Sequence, residues 1–195
     1  MIIGITGGTG CGKTTALQVI EGLGGLVIDC DKIYHDLLQT DNAMLCAIDK
    51  RFPGVVKDGA LDRKALAAIV FTDEQALLEL NRITHSAVKN KVLEILEANP
   101  GLAAIDAIGL LEGGLDTLCD VTVAVTAPED VRVARLTARD NITRQQAQMR
   151  IDGQKKQDYF RQSCDYILEN NGTQADFQEK CLAFLQKLLT IKENT

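Results

Sequence analysis

Short apolar runs alternate along the chain with longer stretches in which apolar residues recur every three or four positions, and glycine-rich or polar segments separate them. Met1 to Ile5 is apolar and partly β-branched, which predicts a strand; a glycine-dense turn follows, and Thr14 to Glu21 reads as a helix. Gly25 to Ile28 is a second apolar run that ends in Asp29-Cys30-Asp31, with a helix expected from about Lys32 to Leu38. From Ala43 to Ala98 the pattern is helical, with Leu77, Leu80, Ile83, Val88, Val92 and Leu96 keeping one face apolar, and no strand-like alternation is read there. Leu102 to Ile105, closed by Asp106, and Val121 to Val125, closed by Thr126-Ala127-Pro128, read as buried parallel strands. A helix is expected over Glu129 to Arg139, a polar, arginine-bearing segment over Asp140 to Gln157, a last strand over Tyr166 to Leu168 and a final helix over Gln174 to Leu189.

Strands alternating with helices predict an α/β fold, a doubly wound parallel sheet of about five strands. Ligands of such sheets sit beyond the carboxyl ends of the strands, which is where Gly7, Asp31, Asp106 and Pro128 are expected to gather. One domain over 1–195 is expected, with a helical insertion at 40–98 and a lid segment at 139–157.

Composition narrows the function classes. The chain has 195 residues, 46% hydrophobic and 25% charged with 3 Pro, so an ordinary globular protein is expected. A net charge of -6 disfavours a nucleic-acid binder held by its overall field. The six cysteines are scattered and form no CxxC pair, so free thiols in a reducing compartment are expected. The N-terminus lacks a basic n-region, and no run approaches the roughly 18 apolar residues that span a bilayer, so a cytoplasmic protein with no membrane partner is expected.

Gly7-Gly8-Thr9-Gly10-Cys11-Gly12-Lys13-Thr14 fits G-x-x-x-x-G-K-[ST] without mismatch and lies between a predicted strand and a predicted helix. Its glycines let backbone N–H groups turn inward around a triphosphate, and the following helix adds its positive end. The motif assigns Gly8, Thr9, Gly10, Cys11, Gly12, Lys13, Thr14 and Thr15 to ATP, with Lys13 reaching the β- and γ-phosphates and the Thr14 hydroxyl on Mg²⁺. A dinucleotide fingerprint fails on spacing, because after Gly8 and Gly10 the third glycine would fall at Lys13. The sheet is therefore expected to be of the P-loop NTPase, nucleoside monophosphate kinase-like type.

Phosphoryl transfer also needs a positioned metal, an oriented nucleophile and cations on the developing charge. Asp106 closes an apolar run as a Walker-B carboxylate does, a metal ligand by one reading and a solvated strand end by the other. Asp31 is either a general base for an attacking hydroxyl or a helix N-cap, and Asp29 reads as structural. His85, on the long helix, either contacts an acceptor phosphate or is hydrogen-bonded in place. Arg132, Arg135 and Arg139 share a helix face, with Arg144 and Arg150 beyond; they form either a solvated face or a lid that closes over nucleotide, and the lid is favoured, with Arg135 and Arg139 catalytic.

Together these segments resemble dephospho-coenzyme A kinase, from Ile3 to about Gly172. The phosphate loop is shared with many families. More specific are Val27-Ile28-Asp29-Cys30-Asp31, then Gly59-Ala60-Leu61-Asp62-Arg63-Lys64-Ala65-Leu66, Ile69-Val70-Phe71 and Leu80-Asn81-Arg82-Ile83-Thr84-His85, which are similar to that family's second strand and acceptor-binding helical region. Asp106 with Leu110-Leu111-Glu112 resembles the segment after the third strand. Arg135, Arg139, Thr143-Arg144, Arg150-Ile151 and Gln154 resemble the lid, and Asn170-Asn171-Gly172 the turn after the last strand.

The resemblance implies ATP-dependent phosphorylation of the ribose 3′-hydroxyl of dephospho-coenzyme A, the last step of coenzyme A synthesis, with Mg²⁺ and in a monomer or small homo-oligomer. It implies acceptor contacts from Asp31, His85, Asp106, Leu111 and Glu112, and nucleotide contacts from Arg144 and Asn170. Ser86 and Gly109 stand where the family usually has proline, which predicts altered loop geometry. Cys11 replaces the family's small hydroxyl residue, which predicts an oxidation-sensitive loop. The alternatives are another small-molecule or nucleoside monophosphate kinase and a P-loop nucleotide switch; no guanine-reading N-K-x-D motif supports the switch.

Overall fold

A computed structural model describes residues 1–193; positions 194 and 195, the end of the expected domain, lie outside the described residues. In chain order the elements are β1 (Ile2–Thr6), α1 (Lys13–Gly22), β2 (Leu26–Asp29), α2 (Cys30–Thr40), α3 (Asn42–Arg51), β3 (Val56–Lys57), β4 (Ala60–Leu61), α4 (Arg63–Val70) and α5 (Glu74–Ala98). They continue with β5 (Ala103–Asp106), β6 (Val121–Thr126), α6 (Glu129–Asp140), α7 (Arg144–Asp152), α8 (Gln157–Ser163), β7 (Tyr166–Glu169) and α9 (Gln174–Glu193).

Five strands form one sheet in the order β2-β5-β1-β6-β7, with β1 parallel to β5 and β6, and β6 parallel to β7. The inner strands carry near-continuous apolar runs because helices flank the sheet: Ile3, Ala104, Ile105, Val123, Ala124 and Val125 are all fully buried at 0%. Burying each Ile or Val side chain contributes about 1.5–3 kcal/mol. Ile20 of α1 and Phe177, Cys181 and Leu185 of α9 pack against this apolar layer.

Register fixes what the sheet presents at its carboxyl edge. Ile5 pairs with Asp106, Thr6 with Ala124, and Thr126 with Glu169. Gly7, Asp106, Ala127 and Asn170 therefore emerge along one rim of one sheet. Among the described residues no helix is long and apolar enough to cross a membrane.

The chain divides into two compact units, one of Met1–Ile28, Pro100–Leu111 and Leu115–Thr195, the other of Asp29–Asn99 with Glu112–Gly114. In the second unit α5 packs against α2, α3 and α4, and the interior is filled by Ile48, Phe52, Val55 and Val92, each at most 2% exposed. The unit also contains a hairpin, β3 with β4, that the helical reading of Ala43 to Ala98 did not anticipate. Asp58 (φ 51°) and Gly59 (φ 76°) both hold positive φ, so a two-residue Asp-Gly turn joins the strands. Each strand has only two residues, too short for alternation to register, and the turn dipeptide was the readable signal.

One further expectation is corrected. Ser86 lies inside the uninterrupted 25-residue helix α5, not in a loop, because serine keeps the N–H that proline lacks. The polar segment Asp140 to Gln157 contains α7, a helix not read from the sequence, started by a capping box in which Thr143 and Gln146 exchange hydrogen bonds. Ala147 and Ile151 of α7 pack on Val133 and Leu136 of α6.

Candidate active site

The first unit builds a loop of backbone between β1 and α1. Cys11 N–H donates to the Gly8 carbonyl at 3.3 Å and Thr15 N–H to the Gly12 carbonyl at 3.1 Å, which curls residues Gly8 to Thr15 into a tight nest. Lys13 folds back so that its Nζ donates to the Gly7 carbonyl at 2.8 Å, placing the ammonium beside its own loop. Thr14, one residue into α1, is exposed.

Helix α1 differs from its neighbours at its start. Its N-cap is Gly12, which has no side chain to cap the helix, and the first turn holds no acid. By contrast Asp29, Asp41, Asp62 and Asp73 cap α2, α3, α4 and α5. The positive end of α1 therefore has neither a capping side chain on its N-cap residue nor an acid in its first turn. Gly12 itself is dictated by space as well as by its φ of 97°, since a Cβ there would lie 2.2 Å from Asn170 Nδ2.

The outside of the loop is braced by side chains from other elements. Asn170, 4% exposed and just past β7, donates from Nδ2 to the Cys11 carbonyl at 2.9 Å. Its Oδ1 accepts from Arg135 NH2 at 2.9 Å, and Arg135 NH1 lies 3.4 Å from both the Gly10 and Cys11 carbonyls. Arg139, farther along α6, is exposed and forks onto Asp140 at 2.7 and 3.0 Å, and Arg150 donates to the same carboxylate at 2.5 Å. Arg139, then Arg150, hold the Asp140 carboxyl below the usual carboxylate range. Arg144 is exposed at the start of α7.

Cys11 corrects an expectation. The side chain is 1% exposed, and burial pushes its thiol up against the opposing pull of Arg132 and Lys13. A buried thiol held in its protonated form is not an oxidation-sensitive one, because the thiolate is the reactive species.

The remaining acids and the histidine divide between the two units. Asp106, half-buried at the end of β5, and Leu111, half-buried in the turns that follow, belong to the first unit with the loop. Asp31, His85 and Glu112 belong to the second. There the capping role falls to Asp29, whose carboxylate accepts from Lys32 N–H at 2.9 Å, so Asp31 stands exposed in the first turn of α2 with its carboxylate not used as the cap. His85 is half-buried on α5, and Glu112 is exposed.

Comparison with known proteins identifies the family. The sequence profile of the family described as Dephospho-CoA kinase matches residues 1–176. The chain belongs to the dephospho-CoA kinase family. A dephospho-CoA kinase of Syntrophotalea carbinolica is 33% identical over 97% of this chain and 92% of that protein. The crystal structure of TT1252 from Thermus thermophilus superposes with a TM-score of 0.77 at 31% identity, covering 96% of this chain and 97% of that one. A dephospho-CoA kinase from Campylobacter jejuni gives a TM-score of 0.68 at 27% identity, covering 100% and 98%.

In this member of the dephospho-CoA kinase family, two side chains read from the sequence only as parts of the lid touch the phosphate loop. Arg132 is 3% exposed and donates from Nε to the Thr9 carbonyl at 2.9 Å. Gln154, between α7 and α8, accepts from Thr9 N–H at 2.8 Å. The arginine periodicity of α6 flagged Arg132, but nothing in that pattern separates an arginine turned inward from its neighbours turned out. Gln154 lies 145 positions from Thr9, a pairing that only the folded chain displays.

Proposed function

We propose that this protein transfers the γ-phosphoryl group of ATP to the ribose 3′-hydroxyl of dephospho-coenzyme A, giving coenzyme A and ADP. The observation that carries the reading is the α1 N-terminus, with a glycine N-cap and no acid in its first turn, at the end of a glycine loop in a chain whose family match covers residues 1–176. The loop amides and Lys13 bind the triphosphate. In the transfer, the acceptor oxygen forms a bond to the γ-phosphorus, the bond to the β,γ-bridging oxygen breaks, and the hydroxyl proton passes to a carboxylate. Asp31 is that carboxylate, supported by its exposure and by Asp29 holding the cap in its place. Arg135, Arg139 and Arg144 supply cationic charge toward the phosphates, and Asn170 holds the loop from behind. His85, Asp106, Leu111 and Glu112 serve the acceptor.

The donor set fits magnesium. Among the described residues no group of three or more His, Cys, Asp or Glu side chains can hold a metal alone. Magnesium favours one or two protein oxygens together with substrate phosphates and water, and Thr14 and Asp106 are of that kind. When bound, the ion neutralises charge on the β- and γ-phosphates. We place the protein in the cytoplasm, where both substrates are soluble anions.

A coupled ADP-release assay with dephospho-coenzyme A, nucleoside monophosphates, shikimate, pantothenate and no acceptor tests the reading. Turnover with dephospho-coenzyme A alone is expected. Turnover with another acceptor in its place, or with none, would refute it.

A further inference from the structure

The Thr9 peptide is held on both sides. Its N–H donates to Gln154 Oε1 at 2.8 Å, its carbonyl accepts from Arg132 Nε at 2.9 Å, and Arg132 NH2 donates to the same Gln154 Oε1 at 3.2 Å. Three groups from the phosphate loop, from α6 and from the turn after α7 therefore close one hydrogen-bonded ring. The ring also explains the neighbouring residue: a Cβ at Gly8 would stand 2.4 Å from Arg132 NH2 and 3.2 Å from Gln154 Oε1.

Arg132 is 3% exposed, and among the described residues it forms no ion pair; its recorded partners are a backbone carbonyl and an amide oxygen. An unpaired buried cation is costly, and that cost is relieved when an anion arrives. Its charge already acts on the loop, since Arg132 is the largest of the influences that draw the Cys11 thiol down against burial. Lys13 stands on the same loop.

We infer that Gln154 is a positioning residue: with Arg132 it clamps the Thr9 peptide, fixing the outer turn of the phosphate loop in its nucleotide-binding shape and tying that loop to the end of α7. The inference rests on the proposed use of this loop for ATP. Both bonds to Gln154 use Oε1 as acceptor, so the clamp needs an acceptor at this place and not an amide donor. Gln154→Leu keeps the bulk and removes the acceptor, leaving a partly buried N–H without its partner.

Titration calorimetry with ATP, thermal melting, and amide exchange at Thr9 test this on the full chain. In Gln154→Leu, ATP affinity falls about tenfold, Thr9 exchange accelerates, and kcat at saturating ATP stays within about threefold of wild type. Gln154→Glu keeps an acceptor for Thr9 N–H but pairs the Arg132 charge, so it restores slow Thr9 exchange without restoring ATP affinity. An unchanged ATP Kd in Gln154→Leu, with or without a lower Tm, would overturn the proposal, as would a Gln154→Glu variant whose Thr9 exchange is as fast as in Gln154→Leu. Failure of the wild type to phosphorylate dephospho-coenzyme A would instead count against the proposed function, leaving the binding comparison to judge the clamp.

Discussion

Replacing Asn170 by alanine removes a side chain that joins the end of β7 to the phosphate loop and to α6. The amide is 4% exposed, donates to the Cys11 carbonyl at 2.9 Å and accepts from Arg135 at 2.9 Å. Losing the donor leaves the Cys11 carbonyl only the long bond from Arg135 NH1 at 3.4 Å, at a cost of about 1–3 kcal/mol. The bond from Arg135 adds less, because that guanidinium is half-buried and can turn toward water. A destabilisation of about 2–4 kcal/mol follows, and at about 2–4 °C per kcal/mol for a chain of this size Tm falls by roughly 5–15 °C. Urea unfolding is the assay, with the midpoint moving and the slope m unchanged. Asn170→Asp separates the two bonds: it keeps an acceptor for Arg135 but sets a carboxylate oxygen against the Cys11 carbonyl, so it is expected to be no more stable than Asn170→Ala. A loss below about 0.5 kcal/mol in Asn170→Ala, the level of an ordinary surface change, would refute the brace.

Asp31→Asn is expected to lower kcat by about 10² or more while ATP affinity stays within about twofold, measured by steady-state kinetics and calorimetry; an equal loss of ATP binding would assign Asp31 to the metal or the fold. Chelation of magnesium by EDTA abolishes ADP release and added Mg²⁺ restores it; turnover at full rate in EDTA would remove Thr14 and Asp106 from their assigned role. Iodoacetamide at neutral pH, followed by peptide mass spectrometry, labels exposed Cys46 and leaves buried Cys11 untouched in the native protein; early labelling of Cys11 would contradict its burial and raised thiol.

The parallel sheet and the phosphate loop were legible from the chain because both are local patterns. Buried strands read as apolar runs, and the eight residues from Gly7 to Thr14 form a contiguous motif whose spacing alone excludes the dinucleotide alternative. The choice between Asp29 and Asp31 was only partly legible, since two acids two positions apart at a strand end both suit a helix start. The bond from Lys32 N–H to Asp29 decides which one caps. The hairpin at Asp58-Gly59 and the helix α7 were missed for different reasons. The first is too short to show alternation; the second carries few apolar residues and packs through only Ala147 and Ile151, leaving its capping box as the visible sign. The braces on the loop, Arg132, Gln154 and Asn170, were the least legible, because each meets its partner across more than 120 positions of sequence. Only packing brings them together.

Transfer of labelled phosphate from [γ-³²P]ATP, with the product resolved by chromatography and digested with a 3′-nucleotidase, tests the central claim most directly. The account predicts label in coenzyme A, released by the 3′-specific enzyme, and none of it when Lys13 is replaced by alanine. Label appearing only as inorganic phosphate, or in coenzyme A formed equally well by the Lys13→Ala variant, would contradict it.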